Sequence, residues 1–191
     1  DLHLSIRRQR QMCIRDRIAV IALIFGIKDY YEQSKIKTVL SMTVVNSMAN
    51  DTETPEQKIK ETLGYKDDPY SKVEIGVNLT TDSEMAEFDY NAQMAYVAQI
   101  QAGSIDIMVM PEKLYQTLKK NEPFADLKEL MGEEAFEKFG MQTDTTHISI
   151  TDSELEQELG VIYDPVCIAV PYSAPNQENA VKWIKSLDSR K

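Results

Sequence analysis

His147 and Cys167 are the side chains in the body of this chain best suited to nucleophilic or metal chemistry, and neither sits in a local pattern that performs it. His147 lies in "THISI", beside Thr146 and Ser149 and with no cysteine near it in sequence. A lone histidine in a strand is ordinarily a structural or surface group, because catalysis needs a positioned partner. Cys167 stands inside the apolar run "VCIAVP", where a free thiol behaves as a small hydrophobe. Glu133, Glu134 and Glu137 flank Phe136 and Phe139, as on the solvated face of a helix. No glycine-rich phosphate loop, metal-ligand spacing or nucleophile elbow is written in the chain. The nine methionines are spread over predicted strands and helices alike, which suits core filling better than a copper site. The expectation is a protein with no catalytic residue, no metal and no cofactor.

Binding chemistry is left to topology. In open α/β sheets a ligand sits outside the carboxyl ends of parallel strands, where the strand order reverses. With residues 38–46 between the other two parallel strands, that rim carries Asn46, Ser47, Thr80, Thr81, Asp82, Ser83 and Met110. Asn46, Ser47, Thr80 and Asp82 are the ligand-binding candidates. A structural role competes for them: Asp82 and Ser83 suit N-caps of the helix that follows, and Asn46 begins a loop.

The elements that must position these residues follow from periodicity. "TVLSMTVVN" (38–46) is β-branched and reads as a strand. "TPEQKIKETLG" reads as a short helix, with Thr54 as N-cap, Pro55 at the first helical position, Gln57 completing a capping box and Gly64 as the stop. "KVEIGVNL" (72–79) alternates strictly and predicts an edge strand. Residues 83–103 read as the longest helix, ending on Gly103. "IDIMVM" (105–110) is apolar on both faces apart from Asp106, as in a strand covered on both sides. Pro111 opens the next helix, 124–140 adds one or two more, and "HISI" is a short strand. "VCIAVP" is a second covered strand, and the final helix carries Ala180, Trp183, Ile184 and Leu187 as one stripe. The order β-α-β-α-β-α-α-β-β-α implies a three-layer α/β/α sandwich with a mixed, mostly parallel sheet, occupying residues 35–191 as a single domain. Its expected strand order is 72–79, 38–46, 105–110, 166–170.

Upstream, the chain changes character. Lysine and arginine number 21 against 31 acidic residues, a net charge of −10. Five of the arginines fall within residues 1–17, and "DLHLSIRRQRQMCIRDR" resembles a translated sequencing adapter, with primer, index and transposase parts in one frame. Construed as adapter, 1–17 stands apart from fold reasoning, and the remainder is more acidic still. Nucleic acid is then excluded as a partner, since binding it takes a basic footprint. One cysteine outside that segment leaves no intramolecular disulfide. "IAVIALIFGI" (18–27), followed by Lys28, Asp29, Tyr30 and Tyr31, reads as the second half of a membrane helix. A signal-peptide core and a buried helix compete with that reading, the first weakened by the lack of a small-residue cleavage site. The expected organisation is a truncated transmembrane helix and juxtamembrane linker at 18–34, then an extracytoplasmic domain on a single-pass cell-membrane protein.

"IQAGSIDIMVMPEKLYQTLKKNEPFADL" resembles a lobe segment of type II extracytoplasmic solute-binding proteins, in which an Ala-Gly turn precedes an "xDI/V" strand. "DPVCIAVPYSAPNQENAVKWIKSL" is similar to the return strand and closing helix of the same family. "FADLKEL" and "SITDSEL", behind a membrane helix, also resemble a group of membrane-anchored proteins of Gram-positive bacteria. The resemblance implies an antiparallel last strand, adds Tyr172 and Ser173 to the candidate rim, and implies a permease or other protein partner. The segment between Phe139 and Val166 is too short for a second lobe, and capture by hinge closure needs two. The expected function is therefore an accessory or protein-interaction module, with weak binding of a small polar solute for a transporter or sensor as the alternative.

Overall fold

The computed structural model describes residues 21–121, 123–140, 142–151 and 153–188. The chain divides into two units, Asp1–Lys37 and Thr38–Lys191. In the first, residues 21–33 are helical (α1). The helix closes on Ser34, whose amide donates to the Tyr30 carbonyl at 2.9 Å and whose hydroxyl donates to the Tyr31 carbonyl at 2.8 Å. Among the described residues no helix is long and apolar enough to cross a membrane. The bilayer helix expected at 18–27 is thus not shown. Its first residues, with the adapter-like segment 1–17, lie outside the described residues.

The second unit is α/β. Its elements are β1 (Lys37–Val45), α2 (Glu53–Leu63), β2 (Ser71–Leu79), α3 (Tyr90–Gln101), β3 (Ile107–Pro111), α4 (Glu112–Leu118), α5 (Leu127–Met131), α6 (Glu133–Glu137), β4 (His147–Ile150), α7 (Ser153–Leu159), β5 (Val166–Ala169) and α8 (Gln177–Asp188). The five strands form one sheet in the order β2-β1-β3-β5-β4. β1 and β3 pair parallel, with Met42 opposite Ile107. β5 runs antiparallel to both β3 and β4. The expected four-strand order is observed, and β4 adds the second edge. The sheet is more evenly mixed than expected, because β5 contributes two antiparallel pairings.

Alternation decides which faces are covered. Leu40, Met42, Val44, Ile107, Val109, Val166, Ile168 and Val170 face one apolar cluster, shared with α2, α5, α6, α7 and α8. Val45, Met108, Met110, Cys167 and Ala169 face a second cluster, shared with α3 and α4. Helices therefore cover both faces, and β3 is buried at every position, as a central strand must be. The predicted stripe on α8 lies in the core, with Trp183 and Ile184 almost wholly buried.

Three local expectations are corrected. α2 begins before Thr54, because the Asp51 carboxylate takes the Glu53 amide at 2.8 Å and the Thr54 hydroxyl at 2.7 Å. The long helix begins at Tyr90 rather than near Ser83. Asp82 instead closes a tight loop, accepting from the Ala86 amide at 3.0 Å while its own amide donates to the Glu87 carbonyl. Asp89 is the cap, accepting from the Ala92 amide at 2.8 Å. Between β4 and β5, α7 supplies a helix that the periodicity reading left out.

Candidate functional site

The carboxyl ends of β1 and β3 bring most of the predicted rim together, but as scaffolding. Asn46 has φ +53°, and its amide group clamps Thr81, donating to the hydroxyl at 2.7 Å and accepting from the backbone amide at 2.9 Å. Ser47 donates to the Leu159 carbonyl at 2.7 Å. The Thr80 hydroxyl donates to the Asp89 carboxylate. Tyr172 stands elsewhere: β5 is antiparallel to β3, so the end of β5 leads to the opposite rim of the sheet. There Tyr172 is exposed, with its amide on the Pro123 carbonyl.

Beside the rim, where β3 turns into α4, lies a cleft of about 250 Å³. It is lined by the loop residues Glu84 and Met85, by Pro111, Glu112 and Lys113 at the β3–α4 junction, and by Tyr163, Asp164 and Pro165 ahead of β5. Tyr163 braces it by donating to the Val45 and Val109 carbonyls at 2.9 and 3.2 Å. Three of the lining side chains are carboxylates against one lysine, so the cleft favours cationic over anionic guests.

Glu112, which lines the cleft, also belongs to a polar cluster that the sequence reading did not assemble. Glu112 opens α4, His147 opens β4 and Cys167 lies on β5. In the β4–β5 register Ser149 faces Cys167 and His147 faces Ala169, so both side chains point to the same face. One ligand-type atom from each of the three residues lies within 4.8 Å of the others. His147 Nδ1 is 2.8 Å from the Asp144 carboxylate, and Nε2 is 3.4 Å from Glu112 Oε2. The Tyr115 ring stacks on the imidazole at 4.2 Å between centroids.

Electrostatics separates the roles within this cluster. Burial works against the charge of Asp144, yet Lys119, His147 and Thr146 together hold its carboxyl well below the usual carboxylate range. Burial, and then the negative charge of Glu112, push the Cys167 thiol well above its ordinary value. A fully buried thiol that keeps its proton is not poised as a nucleophile. The expectation that Cys167 packs as a small hydrophobe agrees with its burial, whereas the expectation that His147 stands alone does not. Antiparallel pairing of "HISI" with "VCIA" was the signal that would have joined them.

A third feature lies on the outer surface. α3, "YNAQMAYVAQIQ", carries no charge in a chain that is 27% charged. Ala92 and Tyr96 are its buried residues, while Tyr90, Met94 and Val97 are exposed, Tyr90 to 81%. Their spacing puts them on one face. A groove of about 500 Å³ beside them, between α3 and α4, is lined by Phe88, Tyr90, Tyr96, Leu114 and Leu118 among others.

Comparisons of the chain with protein-family models, with curated proteins and with solved structures each find no match.

Proposed function

We propose that this protein is a membrane-anchored, extracytoplasmic binding module. Its α/β domain corresponds to a single lobe of a type II solute-binding protein, and it works by docking on a membrane protein of the permease type rather than by catalysis. The observation that carries this reading is the uncharged, exposed face of α3, Tyr90–Met94–Val97, with the groove beside it. Large apolar side chains exposed in a row along an uncharged helix suit an interaction surface. Met94→Glu should abolish co-purification of the protein with its membrane partner and leave thermal unfolding unchanged. Unimpaired co-purification of that variant counts against the reading.

The cleft at the end of β3 favours a second reading, weak binding of a small cationic or polar solute. Its volume lies below the roughly 300 Å³ at which ligand pockets usually begin. Affinity no better than about micromolar is expected, near 8 kcal/mol of binding energy. Calorimetric titration with amino acids and polyamines tests this reading, and nanomolar binding would make solute capture the primary function.

A further inference from the structure

We propose that Glu112, His147 and Cys167 form a three-ligand site for a zinc-class transition-metal ion, with Asp144 as the positioning residue behind His147. Glu112 Oε2 and His147 Nε2 are 3.4 Å apart, which matches the edge of a tetrahedron built on metal bonds of about 2.1 Å. All three ligand atoms lie within 4.8 Å of one another, so closure onto one ion takes side-chain adjustments of about an ångström. The donors are one nitrogen, one oxygen and one sulfur. That set suits zinc or cobalt(II) and is unlike the all-oxygen shells of calcium and magnesium.

The surroundings are organised as such a site requires. Asp144 accepts from the Thr146 amide and hydroxyl at 2.9 Å each and from Lys119, so its own position is fixed. Its contact with His147 Nδ1 at 2.8 Å sets the tautomer, leaving the lone pair on Nε2, which has Glu112 Oε2 at 3.4 Å and the Thr143 hydroxyl, displaceable by an ion, at 3.3 Å. This carboxylate–histidine pairing is the arrangement that orients metal-bound imidazoles elsewhere. Glu112 Oε2 is buried and, among the described residues, makes no side-chain hydrogen bond, with only the Cys167 thiol and His147 Nε2 beside it. A buried carboxylate oxygen facing an imidazole lone pair calls for a cation between them. Glu112 is also 30% exposed and lines the cleft, which gives an ion its route from solvent. On binding, the Cys167 S–H bond breaks, the sulfur–metal bond forms and the proton passes to water.

The test uses the full chain in a Cys13→Ser background, so that Cys167 is the only thiol, with cobalt(II) as the probe and zinc(II) as competitor. One equivalent of cobalt(II) should produce a near-ultraviolet sulfur-to-cobalt charge-transfer band that zinc(II) abolishes. Cys167→Ser should remove the band, with circular dichroism in metal-free buffer checking that the variant folds. Asp144→Asn should keep the band and weaken cobalt(II) affinity by about 10- to 100-fold. The absence of a sulfur-to-cobalt band in the unsubstituted cluster overturns the proposal. So does a band that survives Cys167→Ser in folded protein.

Discussion

Gly160 ends α7 at φ +64°, and a methyl group on it would lie 2.5 Å from the Ala49 amide nitrogen and 2.9 Å from Ala49 Cα. Its carbonyl accepts from the Met48 amide at 2.8 Å, so it cannot retreat without opening the 46–49 loop. Gly103, at φ +61°, has nothing from the described residues within 4 Å of that position. Gly103→Ala should therefore cost about 1 kcal/mol, the left-handed conformation alone. Gly160→Ala should cost about 3 kcal/mol, conformation plus clash, and urea denaturation measures both. Asn46 is tested similarly. Asn46→Gly removes the clamp on Thr81 and relieves φ +53°, whereas Asn46→Ala removes the clamp and keeps the strain. Alanine should be the worse by about 1 kcal/mol in the same measurement. Equal effects would mean that the left-handed backbone at Asn46 carries no strain. At this scale the sequence was legible where a residue type has one habit. Gly64 and Gly103 ended their helices as read. It was illegible where partners come from afar: Asp106, the one polar residue of "IDIMVM", accepts from the Ser41 and Asn176 amides at 2.7 and 2.8 Å. Two fragments that carried the family resemblance thus meet as a structural tie.

Among the elements, α3 departs furthest from its expected bounds. Residues 82–88 keep helical spacing of apolar groups, yet Asp82 satisfies its own loop and Met85 turns to φ +56°. Local side-chain bonds of this kind compete with a helix start. Capping falls to Asp89, whose carboxyl is held below its ordinary value by the Ala92 amide and then by the Thr80 hydroxyl. A carboxylate with a lowered folded-state pKa stabilises the fold fully above its unfolded value of about 3.9 and loses that contribution as pH falls through the lower one. Asp89→Ala should accordingly lower the melting temperature near neutral pH, and the difference from the parent should vanish as the solution is acidified through pH 4 and below. A difference that persists unchanged in acid would mean that the charge of Asp89 does not hold the cap. α7 was missed for a related reason: "SELEQEL" is short and acidic, and its apolar Leu155 and Leu159 are too few to show a period.

At the scale of the molecule, the sheet order was readable because strict alternation marks an edge and unbroken apolar runs mark the centre. β2 and β3 obey that rule. The polar cluster was not readable, because His147 and Cys167 meet only through the pairing of two four-residue strands. Neither was the outer face of α3, since apolar residues in a helix predict burial until the packing shows which side is left over. That face supports a module completed by a partner, and its neighbourhood can be interrogated in place. A photo-crosslinking residue at Met94, in full-length protein in the membranes of its native cell, reports what covers α3. Gln57, exposed on α2 across the sheet, is the control. The account predicts a discrete adduct with a membrane-spanning protein from position 94, none from position 57, and loss of the adduct when Tyr90→Asp is added. Equal yields from both positions, or no adduct from position 94, would contradict it.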